Sequence, residues 1–132
     1  MAEIDLRSPL TLSIAIINWD SQLPSIETRI YMEVKPNLTS TFNLKLEGIW
    51  FYCREWDQFT SLLVEGHQAA LTDMDTSLKL SISQQQEETE LVIEFKEDYQ
   101  ENYQTSTVLT CKLDRDSLAN LKQQFKNVAK WW

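Results

Sequence analysis

Apolar residues recur at every second position along most of this chain, and that period restricts its fold more than any other feature. Side chains alternate faces in an extended strand, so each such run marks a strand with one buried side. Leu10, Leu12, Ile14 and Ile16 alternate with Thr11, Ser13 and Ala15, and the run ends near Asn18-Trp19-Asp20. Ile26, Ile30, Met32 and Val34 follow with Thr28 in step, closed by Pro36-Asn37. Phe42, Leu44 and Leu46 continue the pattern up to Gly48, beyond which Ile49-Trp50-Phe51-Tyr52-Cys53 is apolar on both faces. A glycine where the phase changes predicts a β-bulge that shifts which face points inward.

Two segments carry the longer period of a helix. Trp56, Phe59 and Leu62-Leu63 fall on one face and Glu55, Asp57 and Ser61 on the other, with Gly66 placed to end the helix. Leu118, Leu121, Phe125 and Val128 repeat that spacing, with Asp114 positioned as N-cap and Lys122, Lys126 and Lys130 toward the C-terminal end, where the dipole favours cations. Between the helices lie a short segment at 69–74 and the alternating runs Leu78–Ile82, Leu91–Phe95 and Thr107–Leu113. The polar stretch 84–88 predicts a hairpin tip, and 98–104 reads as a further loop. Trp131-Trp132 predicts that at least one terminal aromatic packs on the domain.

Strands joined by short polar segments, without strict βαβ alternation, give an α+β class. The expected architecture is one antiparallel sheet of six to seven strands with two helices packed on one face. A chain of 132 residues suits one core, so residues 1–132 read as a single domain. The first nine residues lack the apolar segment of a signal peptide, and no run approaches a membrane span, so the expectation is a cytoplasmic protein with no membrane association. The sequon at Asn37-Leu38-Thr39 is then a chance match.

Chemistry is sparse in this sequence. Two glycines stand far apart, which excludes a glycine-rich phosphate loop. His67 is the only histidine, and Cys53 and Cys111 lie in apolar, strand-like stretches where free cysteine acts as a small buried hydrophobe. No catalytic set and no zinc ligand pattern can be assembled, so no metal and no cofactor is expected. Asp73-Met74-Asp75 is the neatest carboxylate pair and reads as part of a strand-to-strand turn. Trp50-Phe51-Tyr52 and Trp56 read as core, whereas Trp19, in a polar turn, reads as an exposed anchor. Without a basic surface around these aromatics, nucleic acid is not an expected partner.

Charge is the most informative remaining signal. Of a net −8, residues 84–104 supply −6, through Glu87, Glu88, Glu90, Glu94, Glu97, Asp98 and Glu101 against Lys96. From Arg115 onward the balance reverses to +3. Such asymmetry suits a surface that steers a basic partner, and Glu87, Glu88, Glu90, Glu97, Asp98 and Glu101 are the candidate partner-binding residues.

From Glu55 to the C-terminus the chain resembles the WapI-type immunity proteins of bacterial polymorphic toxin systems. The resemblance rests on Trp56-x-x-Phe59-x-x-Leu62, on Ala70-Leu71-Thr72-Asp73-Met74 before Leu78-Lys79-Leu80, and on Leu113-Asp114-x-x-x-Leu118-x-x-Leu121. It implies a cytoplasmic, non-catalytic protein that neutralises a toxin domain, often a nuclease, and it transfers no binding residues. A basic toxin cleft would be complemented by the acidic stretch. The alternative expectation is an accessory or scaffolding domain with no toxin partner, its acids serving solubility. A small-molecule binder with a pocket between sheet and helices is a third. An unpaired sheet edge would also allow a homodimer.

Overall fold

The computed structural model describes residues 2–85, 87–99, 103–130 and 132; the side chains of Asp98, Tyr99 and Tyr103 fall outside that description. Strands β1 (Ile4–Leu6), β2 (Thr11–Asp20), β3 (Ser25–Asn37) and β4 (Ser40–Tyr52) precede helix α1 (Cys53–Val64). Strands β5 (Ala69–Thr72), β6 (Leu78–Gln85), β7 (Glu88–Tyr99) and β8 (Tyr103–Leu113) follow, and helix α2 (Arg115–Lys126) ends the order. The α+β class and the two helices stand, but the single sheet of six to seven strands does not. The strands form two separate antiparallel sheets of four, β1-β2-β3-β4 and β5-β6-β7-β8.

The physical reason for the difference lies in coverage. Alternation tells which side of a strand is buried and says nothing about its neighbours. Two helices of 12 residues, each about 18 Å long with one apolar stripe, cannot cover eight strands. The buried faces cover each other instead. Leu12, Ile30 and Phe51 of the first sheet and Leu71, Leu80 and Ile93 of the second line one apolar gap of about 10 Å³, with no polar side chain in its wall to hold a water. The helices then close the molecule from the side: α1 packs on β5, α2 on β1, and the two touch each other.

An aromatic cluster fixes that closure. Phe51 meets Trp56 edge-on at 5.9 Å between ring centroids, Phe125 lies 5.3 Å from Trp56, and Phe59 meets Phe125 edge-on at 5.0 Å. All four rings are at most 2% exposed.

The bulge expected at Gly48 is present. Thr28 faces Ile49 and Ile30 faces Leu46, so two residues of β4 oppose Arg29 alone, and Gly48 takes a φ of +66°. The extra residue moves the inward phase from Leu46 to Ile49 and Phe51, leaving Trp50 half-buried and Tyr52 exposed on the outer face. Trp50 and Tyr52 are therefore not core residues. A second bulge leaves Ile17 of β2 without a partner on β3 and 41% exposed.

Several boundaries also move. The Ile4–Leu6 strand has no counterpart in the sequence reading, because three residues are too few to show a period. Cys53 opens α1 rather than lying in a strand. The loop expected at 98–104 shrinks, since Asp98 and Tyr99 still pair with Gln104 and Tyr103.

Both helix ends follow their signals. Asp114 Oδ1 accepts a hydrogen bond from the Ser117 N–H at 2.7 Å, capping α2. Gly66, at φ +85°, ends α1: its N–H donates to the Leu63 carbonyl and that of His67 to Leu62, the paired bonds of a Schellman motif. The C-terminus is tied down as expected of its aromatics. Trp132 Nε1 donates to Asp57 Oδ2 at 3.1 Å, and Lys130 Nζ lies 3.0 Å from Asp57 Oδ1. Trp131 lies outside the described residues.

Candidate functional site

The candidate acidic residues do not form one patch. Glu87, Glu88 and Glu90 cluster, all exposed, at the β6–β7 turn. Glu97 lies nine residues further along β7 from Glu88, about 30 Å at strand rise, and its odd position puts it on the opposite face from Glu88 and Glu90. Asp98 contributes its backbone to β7, while its side chain and all of Glu101 lie outside the described residues.

Neighbouring strands also dilute the charge counted along the chain. On the outer face of the second sheet Glu94 sits opposite Lys79, and Glu90 opposite Lys112. Lys112 Nζ reaches Glu88 Oε1 at 3.3 Å. Both partners of that pair are about three-quarters exposed, so it contributes well under 1 kcal/mol, but it lowers the local field.

A different acidic site appears where β4, the β5–β6 turn and the far end of β7 meet. A groove of about 380 Å³ is lined there by Lys45, Glu47 and Gly48 of β4, by Asp75 of the turn and by Phe95 and Glu97 of β7. It brings Glu97 together with two carboxylates that lie far from it in sequence. Glu47 is held by Arg29, whose Nε lies 3.0 Å from it on the neighbouring strand. The bulge at Gly48 exposes this part of β4. Asp75 also lines an adjoining cleft of about 240 Å³, with Asp20 and Leu23 of the β2–β3 turn, Ser25, Trp50 and Met74.

Both turns at the cleft are built rather than loose. Asp20 Oδ1 accepts from the N–H groups of Gln22 and Leu23 at 2.9 and 3.3 Å. The Met74 N–H donates to the Trp50 carbonyl at 2.8 Å, fixing the β5–β6 turn against β4. Within that turn Asp73 is 4% exposed; its carboxylate accepts from Ser77 N–H, Ser77 Oγ and Leu78 N–H at 2.8 to 2.9 Å. Asp73 is thus a turn residue, while Asp75 faces the groove and the cleft.

The cleft brings two carboxylates together with an indole and the apolar side chains of Leu23 and Met74, a lining that suits a basic side chain with its charge toward the acids and its stem toward the apolar wall. Leu23 of the cleft is 48% exposed; Trp19 is 38% exposed, but it lies within β2 rather than in a turn and does not line the cleft. Sequence reasoning did not find Asp20 or Glu47, because nothing in their local spacing sets them apart. Gly48 was the available signal.

The thiols and the histidine stay apart. Cys53 begins α1 and His67 lies beyond its other end, about 18 Å of helix away. Cys111 pairs with Leu91, which pairs with Ile82 and that with Ala69, placing three strand spacings, about 14 Å, between Cys111 and the β5 end near His67. Burial pushes the Cys111 thiol up to about 11, with Glu90 adding to the shift, and burial also raises Cys53, assisted by Asp57. Both are protonated at neutral pH, the opposite of an activated nucleophile. Among the described residues no three His, Cys, Asp or Glu side chains are grouped to hold a metal, and no helix is long and apolar enough to cross a membrane. Compared with protein-family models, curated proteins and solved structures, the chain matches none.

Proposed function

We propose that the chain is a non-catalytic binding protein that engages a basic protein partner through the acidic groove and cleft around Asp75. The observation that carries this reading is the convergence of Glu47, Asp75 and Glu97 at the bulge, three acids against Lys45 and the Arg29 paired with Glu47, with Asp20 and Trp50 in the adjoining cleft. Convergent carboxylates beside an aromatic wall recruit cationic side chains, and a net −8 raises the encounter rate with any basic domain. Neutralising a toxin domain, as an immunity protein does, is the particular form of this function that the resemblance from Glu55 onward favours. The partner would present its basic cleft to these acids. The exposed acids at the β6–β7 turn would act at longer range, steering the encounter.

The test separates the two acidic clusters. Binding to a panel of basic nuclease domains is measured by calorimetry at low and high salt, using wild type, Asp75→Lys/Glu97→Lys and Glu87→Lys/Glu88→Lys. For a domain that binds, the first double variant should weaken affinity by about tenfold or more, mainly through faster dissociation. The second should chiefly slow association at low salt. Affinity that is insensitive to salt and to both variants sinks the reading.

A small-molecule pocket is less well supported. The cleft beside Trp50 is below the roughly 300–1,000 Å³ usual for ligand sites, and the groove beside it is polar and open on one side.

A further inference from the structure

Four strands form the sheet edges, and three are protected. β1 has only three residues and is sealed by α2: the Asp5 N–H donates to Gln124 Oε1, and Gln124 Nε2 donates to the Asp5 carbonyl. A side-chain amide thus occupies the place of a neighbouring strand. β5 has four residues, with α1 packed against it. β4 is long, but the Gly48 bulge breaks its line, and Lys45 and Glu47 charge its outer face. These are the devices by which sheets avoid edge-to-edge pairing.

Among the described residues β8 carries none of them. It is 11 residues long and pairs with β7 through 11 successive residues without a register shift, so no bulge interrupts it. It has no proline, and its only charge is Lys112, near one end and already beside Glu88. Its outward residues Ser106, Val108 and Thr110 are exposed, and Val108 is 60% so. In a chain of net −8 it is a long edge that contains no acid at all.

That charge pattern selects the occupant. A basic partner finds no acid on β8 to recognise, whereas a second copy meets no like charge across the strand, since pairing centred on Val108 sets Lys112 opposite Gln104. We infer that two copies of this chain associate through β8, antiparallel about a two-fold axis, joining their second sheets into one continuous eight-stranded sheet. Centred on Val108, such pairing sets Val108 against its own copy and Ser106 against Thr110, cross-strand pairs that favour a sheet. The acidic groove lies on β4 and the far end of β7, where Glu97 pairs with Thr105 of β8, so a bound partner and the second copy would be neighbours at that end of the strand.

Light scattering coupled to size exclusion tests this on the full chain, loaded from about 5 to about 500 µM, together with hydrogen exchange at both extremes. The expected result is a shift with concentration from 15.5 kDa to twice that mass. Amides of residues 104–112 should become protected over the same range. Val108→Lys, at an exposed position that leaves the fold intact, should raise the concentration needed by at least about tenfold, because two lysines then face each other. A monomer at every concentration overturns the inference. A dimer of unchanged strength in Val108→Lys does so too, as does protection that rises on β4 rather than on β8.

Discussion

Asp73 holds the β5–β6 turn with three hydrogen bonds to one buried carboxylate. The turn requires them, because Thr76 sits at φ +57°, a left-handed conformation that a β-branched residue adopts at a cost of about 1–2 kcal/mol. Asp73→Ala would leave the N–H groups of Ser77 and Leu78 without their acceptor. The expected loss is about 2–4 kcal/mol in urea denaturation, and Asp73→Asn, which keeps an oxygen there, should lose less. At this scale the sequence was only half legible. Asp73 and Asp75 look equivalent as neighbouring acids in a turn, yet one is buried structure and the other faces the groove. The distinction depends on which carboxylate folds back over Ser77, and a period cannot express that.

Helix ends were the most legible elements, since a cap is local chemistry: Asp114 and Gly66 act where they stand in the sequence. The hydrogen bonds from Ser117 hold the Asp114 carboxyl below its usual range. A carboxyl depressed in the folded state stabilises above its unfolded pKa, and that stability is lost as pH falls through the folded value. Asn at this position caps without titrating. The advantage in melting temperature of wild type over Asp114→Asn should therefore be largest near pH 7 and shrink toward about pH 3, as scanning calorimetry would show. The longer strands were legible with their inward faces, the three-residue β1 was not, and the bulge was legible from Gly48. Their division into two sheets was not. That division is made by α1, which lies between β4 and β5 so that the two never pair, and the alternating pattern is the same whether or not successive strands are neighbours.

Phe125 joins parts of the molecule that nothing in the sequence links: it touches Trp56 and Phe59 of α1, and Trp56 in turn touches Phe51 of the first sheet. Phe125→Ala should cost about 3–5 kcal/mol and loosen the whole side closure, visible as a lower denaturation midpoint with tryptophan fluorescence changing ahead of circular dichroism. The candidate site is a property of this same scale. Counting charge along the chain pointed to residues 84–104, and Glu97 does belong to the groove. Glu47 arrives from β4 and Asp75 from the β5–β6 turn, Asp20 joins only through the adjoining cleft, and Lys79 and Lys112 offset acids that looked unopposed. The Gln124 clamp on Asp5 has a further consequence, in time rather than space. Each sheet is a meander whose strands pair in chain order, so its hairpins can form early despite the β-rich architecture. The clamp spans 119 residues. On a ribosome the first strand would keep an open edge until the last helix emerges, and a released chain truncated before Asp114 would present β1 and β8 bare together.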